Sequence, residues 1–249
     1  MPRTHASLPR LLIEHSLGKG EVVSLNREQS NYLAAVLRKR IGDAVVVFNT
    51  RDGAWRARLT GDNKKAVTLE AVEQVAPQTP PSDLWYGFAP LKSARLEYVV
   101  QKATEMGAGS IQPVMTRYTQ LHRLNPEKLR AYAIEAAEQC EVLSLPEIAP
   151  EIALEKLVAD WPQTHGDRVL VLADESAASA SPVADLQRLA GRRIGLLVGP
   201  EGGFSPEERA LLLEQPFVAP ISLGPRILRA DTAAVAGLAV IQAIIGDWR

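Results

Sequence analysis

The pattern of hydrophobic and polar positions changes rhythm near residue 76. Before it, short apolar runs alternate with polar turns. Residues 44–48 follow Gly42-Asp43, residues 54–59 follow Asn49-Thr50-Arg51-Asp52-Gly53, and residues 66–72 follow Gly61-Asp62-Asn63-Lys64-Lys65. Strands joined by Asp-Gly and Gly-Asp-Asn turns predict a small antiparallel β-barrel. One helix interrupts it: Asn26 can cap, Tyr32, Leu33, Val36 and Leu37 recur at helical spacing, and Arg38-Lys39-Arg40 ends it.

Ala76-Pro77-Gln78-Thr79-Pro80-Pro81-Ser82-Asp83 can continue neither a sheet nor a helix, because proline lacks the backbone donor. The expected organisation is therefore a first domain over 1–76, a linker over 77–83 and a second domain over 84–249. Beyond the linker, strands and helices alternate. Strands are predicted at 84–91, 111–115, 169–173, 194–198 and 217–223. Helices are predicted at 93–106, 126–140, 205–214 and 231–245. The first of these helices has Leu96, Val99, Val100 and Ala103 on one face and Gly107 as its stop. Strands that are apolar throughout, interleaved with helices, predict a mostly parallel sheet covered on both faces.

Composition narrows the class. With 249 residues, 46% hydrophobic and 23% charged, the chain can bury a core and is not disordered. The uncharged stretch over 232–246 is 15 residues, short of the roughly 20 that cross a bilayer. Met1-Pro2-Arg3-Thr4-His5-Ala6 lacks an apolar signal-peptide core, and Cys140 has no second cysteine to pair with. His5, His15, His122 and His165 lie far apart, without zinc-ligand spacing. The expectation is a cytoplasmic protein with no membrane segment and no metal. The net charge of −1 hides an asymmetry: residues 1–76 hold 12 Lys+Arg against 8 Asp+Glu (+4), and the remainder 16 against 21 (−5). A basic front is suited to phosphates, although scattered surface charge accounts for the same numbers.

Two loops stand out, since ligands of open α/β sheets gather where strands run into helices. The first is Val198-Gly199-Pro200-Glu201-Gly202-Gly203-Phe204, whose glycines allow sharp bending and close approach to a ligand. It leads into Ser205-Pro206-Glu207-Glu208, a capping box with proline at the first helical position. Two carboxylates at the positive helix end disfavour phosphate and favour a neutral or cationic ligand. A plain tight turn accounts for the glycines equally well. The second loop is Leu223-Gly224-Pro225-Arg226-Ile227-Leu228-Arg229-Ala230-Asp231-Thr232. In one reading Leu223 and Leu228 wall a flat apolar ligand and Arg229 faces an electron-rich one. In the other, Ile227 and Leu228 are core, Arg226 and Arg229 are surface, and Asp231 or Thr232 caps the last helix. No Gly-x-Gly-x-x-Gly follows a strand and no Gly-x-Ser-x-Gly elbow is present, which argues against a Rossmann dinucleotide site and against a hydrolase.

Taken together, the two loops resemble the RsmE family, small-subunit ribosomal RNA uridine-N3 methyltransferases of the SPOUT class. The resemblance extends to Val36-Leu37-Arg38 with Gly42-Asp43, to Lys92, to Gln101-Lys102-Ala103-Thr104-Glu105-Met106-Gly107, and to Glu138-Gln139-Cys140 with Pro146. It implies a PUA-like N-terminal β-barrel that binds RNA and a C-terminal α/β SPOUT domain with a deep trefoil knot. It also implies S-adenosyl-L-methionine held at a homodimer interface, and 16S ribosomal RNA or the small ribosomal subunit as partner. Carried over, the donor site comprises Leu172, Gly199, Pro200, Glu201, Gly202, Leu223, Gly224, Leu228 and Arg229. Arg229 is the expected catalytic cation. Glu201 or Asp231 is expected to take the imide proton or hold Arg229, and Arg10, Arg38, Lys39 and Arg40 to contact RNA phosphates. Two positions depart from the family pattern: Asp231 replaces a glutamate, and Val142 an arginine. A SPOUT-fold assembly factor without catalysis, or an enzyme acting at another RNA position, is the alternative.

Overall fold

The computed structural model describes residues 8–121, 123–177 and 181–248, so the first seven residues, His5 among them, and His122 lie outside it. The chain forms two units: one holds the residues up to Pro81 together with Ala137–Leu145, the other Ser82–Ala136 and Pro146–Arg249.

The first unit is built on β1 (Arg10–Leu12), β2 (Val22–Ser24), β3 (Ala44–Asn49), β4 (Gly53–Gly61) and β5 (Thr68–Ala76), in the order β1-β3-β4-β5-β2. All neighbours are antiparallel except β1 and β3. Three register shifts between β4 and β5 curl the sheet, since each extra residue bends its strand. The concave core gathers Leu11, Val23, Leu33, Val45, Val47, Leu59 and Leu69.

The helix at 27–37 departs from its expected form. It is α-helical only as α1 (Arg27–Asn31), with the Asn26 side chain accepting from Gln29 N at 2.9 Å. It continues as a wide π-turn over Tyr32–Val36, and Leu37 N donates to Tyr32 O five residues back. The widened turn rotates the apolar stripe. Leu33 and Ala34 are buried, whereas Val36 is 61% and Leu37 37% exposed. Arg38 then takes a positive φ of 56°.

The second unit is a parallel sheet in the order β12-β10-β11-β6-β7-β8, with β9 beside β7. Its strands are β6 (Trp85–Phe88), β7 (Ser110–Met115), β8 (Glu147–Ile148), β9 (Ile152–Ala153), β10 (Val169–Ala173), β11 (Ile194–Val198) and β12 (Val218–Ile221). Its helices are α2 (Ser93–Glu105), α3 (Pro126–Cys140, whose residues from Ala137 onward belong to the first unit), α4 (Leu154–His165), α5 (Pro182–Gln187), α6 (Pro206–Leu213) and α7 (Ala230–Ile244). The predicted face of α2 is buried at all four positions.

Alternate strand residues feed two cores. Tyr86, Phe88, Val171 and Leu196 pack with α2, α3, α5 and α7, while Trp85, Leu170, Leu172 and Leu197 pack with α4 and α6. Burial on both faces is why these strands read as continuous apolar runs. Among the described residues, no helix is long and apolar enough to cross a membrane.

Asp83 anchors the start of the second unit. Its carboxylate accepts from Arg168 Nη2 at 2.6 Å and Arg193 Nε at 2.8 Å, and the two guanidinium groups hold its pKa down to about 2. Nearby, burial first, then Arg168 and Arg193, lower His165 to about 4. Both shifts make stability rise with pH, because in each window the unfolded chain binds more protons. The Asp83 contribution is present above pH 3.8 and is lost as the pH falls towards about 2. The His165 contribution is lost as the pH falls from 6.5 to about 4. In urea unfolding, the stability advantage of wild type over Asp83→Asn is expected to shrink across the lower window. A difference independent of pH there would exclude the ion-pair account.

Candidate active site

Strands β12, β10 and β11 lie side by side and run parallel, so their C-terminal ends deliver three loops to one place. The loops enclose a cavity of about 520 Å³, within the roughly 300–1,000 Å³ typical of small-molecule sites. The loop after β10 contributes Asp174, Glu175 and Ser176, the loop after β11 contributes Gly199 to Phe204, and the loop after β12 contributes Leu223 to Arg229, without Pro225.

The backbone explains the glycines. A Cβ on Gly199 would stand 2.8 Å from the Phe204 ring, so the loop folds over only because that position is bare. Gly224 has a φ of +117°, a conformation that L side chains rarely adopt. The loop after β11 ends in the predicted capping box: Glu208 N donates to Ser205 Oγ at 3.2 Å, and Ser205 N to Glu208 Oε2 at 2.8 Å.

Of the residues assigned to the donor site, Gly199, Pro200, Glu201, Gly202, Leu223, Gly224, Leu228 and Arg229 line the cavity. Leu172 does not. Its side chain is completely buried in the core on the α4 and α6 face, and its neighbour Ala173 forms the wall instead, because successive strand residues point to opposite faces. Asp231 also lies outside the wall. The carboxylates of the α6 start serve the protein itself. Glu208 is buried and accepts from Ser205 N and from Arg117 N at 2.7 Å, while Glu207 accepts from the Ser205 hydroxyl at 2.8 Å, a bond that helps lower its pKa. The acid at the cavity is Glu201, together with Asp174 and Glu175.

The cations are arranged differently from the sequence expectation. Glu201 pairs with Arg95 of α2, whose Nε also lies 3.8 Å from Asp231 Oδ2. These carboxylates thus hold Arg95 rather than Arg229. Arg229 occupies the N-cap position of α7, exposed and at the cavity wall, with no side-chain cap bond. Asp174 accepts from Arg209 at 2.8 and 3.1 Å. Ile227, a core position in one reading, is 81% exposed. Close to the ion-pair cluster, burial first and then Asp231 raise the Tyr86 phenol well above its usual range, keeping it neutral. Arg95, Asp174 and Arg209 escaped sequence reasoning. The one available signal was Arg95 standing uncompensated by acid in the first turn of its own helix.

Of the basic residues in the first unit, Arg38 and Arg40 are exposed and Lys39 is half-buried. Arg10 is different: its guanidinium lies over the Phe48 ring at 5.1 Å, and burial lowers its pKa while Glu141 and Glu138 raise it. Its Nε and Nη2 are buried, which leaves less of the guanidinium open to a phosphate. Among the described residues no group of three or more His, Cys, Asp or Glu could hold a metal ion.

A family model for an RNA methyltransferase domain matches residues 78–242, and one for an RNA methyltransferase PUA domain matches residues 25–72. Together with the parallel sheet and its three-loop cavity, these matches define an RNA methyltransferase with a PUA domain. The ribosomal RNA small subunit methyltransferase E of Rickettsia conorii is 30% identical over 94% of both chains. That of Synechocystis is 32% identical, over 90% of this chain and 73% of the other. The chain belongs to the ribosomal RNA small subunit methyltransferase E family. Among solved structures, the Neisseria gonorrhoeae member bound to S-adenosyl methionine superposes with a TM-score of 0.84 at 25% identity, covering 97% of this chain and 100% of that one. A methyltransferase from Legionella pneumophila in complex with the same cofactor gives 0.80 at 28% identity, covering 95% and 97%.

Proposed function

We propose that the protein transfers a methyl group from S-adenosyl-L-methionine to N3 of a specific uridine in 16S ribosomal RNA. It acts in the cytoplasm as a homodimer, with a trefoil knot in the second unit holding the donor loops. The observation that carries this reading is the convergence of the glycine loop and Arg229 on one cavity. The residues there fit the cofactor: a bare backbone at Gly199, left-handed turns at Gly203 and Gly224, apolar Leu223 and Leu228, and a carboxylate edge at Glu201. When bound, S-adenosyl-L-methionine supplies an electrophilic methyl group on a cationic sulfur.

The protein's work is then positioning and charge. The loops hold the two reactants in line, which removes the entropic cost of bringing them together. Removing the uridine imide proton leaves negative charge on the flanking carbonyl oxygens, and Arg229 stabilises it. Glu201 receives the proton at the cavity edge, while Asp231, outside the wall, helps Arg95 fix its orientation.

Arg38, Lys39 and Arg40 bind RNA phosphates. Replacing all three with alanine is expected to flatten the salt dependence of RNA binding, lowering the slope of log K against log salt by about 2 for single-stranded contacts. An unchanged slope would remove them from the interface. The function itself is tested by nucleoside analysis of 16S RNA from cells with and without the gene, beside calorimetry with S-adenosyl-L-methionine. Loss of one N3-methyluridine on deletion, restored by the gene, is the expected result. A different missing nucleoside would redirect the reading to another RNA position, and no missing nucleoside to a non-catalytic assembly role. Light scattering at the concentrations used for calorimetry reads the dimer.

A further inference from the structure

We propose that Arg95 is a positioning residue that clasps the glycine loop to the start of α7 and so sets the width of the donor cavity; this rests on the reading of that cavity as the methyl-donor site. Arg95 meets carboxylates from two separate segments, Glu201 after β11 and Asp231 in the first turn of α7. Its own helix is rigidly seated, because Leu96, Val99 and Val100 are buried in the sheet core. A rigid helix thus reaches out to two loops whose glycines leave them little intrinsic stiffness.

The charge pattern of α2 supports a role other than stabilising that helix. Its first turn contains no acidic residue, Lys92 stands at its N-cap with no side-chain cap bond, and Arg95 follows within the same turn. Cations at the positive end of a helix dipole are unfavourable. The compensating charge comes from Glu201 and Asp231, far away in sequence. Residues that break a local rule with a distant compensation mark functional constraint. The guanidinium fork can address two carboxylates at once, which an ammonium point charge does less well.

The test begins with ligand-free protein. In Arg95→Ala, amide hydrogen exchange over 199–204 and 224–231 is expected to accelerate about tenfold, with exchange in β10 and β11 unchanged. Calorimetry is expected to show S-adenosyl-L-methionine binding about tenfold weaker. Arg95→Lys is expected to fall between wild type and alanine on both measures. Adding Asp231→Asn to Arg95→Ala should change little further, because the two side chains act as one unit. Unchanged exchange in both loops, or equal acceleration throughout the second unit, would overturn the proposal. If Arg95→Ala fails to fold, Glu201→Gln with Asp231→Asn breaks the same clasp and is read by hydrogen exchange alone, because Glu201 itself lines the donor cavity. Wild-type protein that binds no S-adenosyl-L-methionine would defeat the donor-site reading, while the exchange result would still decide whether the clasp exists.

Discussion

Replacing Arg229 with alanine is expected to lower turnover by about 10²–10³-fold, the usual effect of removing one group that stabilises developing oxyanion charge. Arg229 stands at the N-cap of α7 on the cavity wall, and its side chain makes no cap bond. Truncation therefore removes a cation without removing a structural contact from the helix. Donor binding measured by calorimetry should stay within a few-fold of wild type, because the charge that Arg229 stabilises exists only once the imide proton leaves. The loss should appear in kcat, with KM for the donor nearly unchanged. Full turnover in Arg229→Ala with normal donor binding would assign the stabilising cation elsewhere. Arg226, which lines the same cavity, would then be tested next.

The largest effect on stability is expected at Trp161. Its indole is completely buried between Trp85, with ring centres 5.0 Å apart, and Phe217, at 5.8 Å. Its Nε1 donates to Arg168 O at 3.0 Å. Trp161→Ala leaves a large cavity and an unsatisfied buried carbonyl, at a cost of about 3–5 kcal/mol. For a unit of this size the melting temperature should drop on the order of 10 °C. Urea unfolding monitored by circular dichroism checks the value, and a loss below about 1 kcal/mol would mean that the surrounding side chains collapse into the space.

Trp161 also shows why parts of the fold were not legible in the sequence. It belongs to α4, a helix absent from the sequence reading, with Pro162 inside it. The apolar spacing of Leu154, Leu157, Val158 and Trp161 and their burial against the sheet outweigh the lost backbone bond. Strands β8 and β9, two residues each, are too short to carry any period. The helix at 27–37 shows another gap. Its spacing is helical, but which side chains face the core depends on the π-turn, a choice made by the packing of Leu33.

At the site, the glycine loop and the Arg229 loop were visible because each is a local run of residues. The Glu207-Glu208 pair was also visible but misleading. Read as a lure for a cationic ligand, Glu208 is instead used up by Ser205 and Arg117. A linear pattern shows that charge is present, but not what neutralises it.

The sequence by itself therefore determined the alternation of strand and helix, the boundaries of α3, β10 and β11, the two loops, and the family to which they belong. Those features rest on interactions within a few residues, where backbone geometry and side-chain period are coupled directly. The tertiary structure alone decided that the ends of β10, β11 and β12 enclose one cavity, that Leu172 points away from it, and that Arg95 holds carboxylates from two distant loops. It likewise decided that Ala137–Leu145 belongs with the first unit, where Glu138 accepts from Leu12 N at 2.9 Å. Such contacts join segments widely separated along the chain. They form because burial and ion pairing in the assembled fold outweigh the entropy of closing long loops, and no local pattern records that balance.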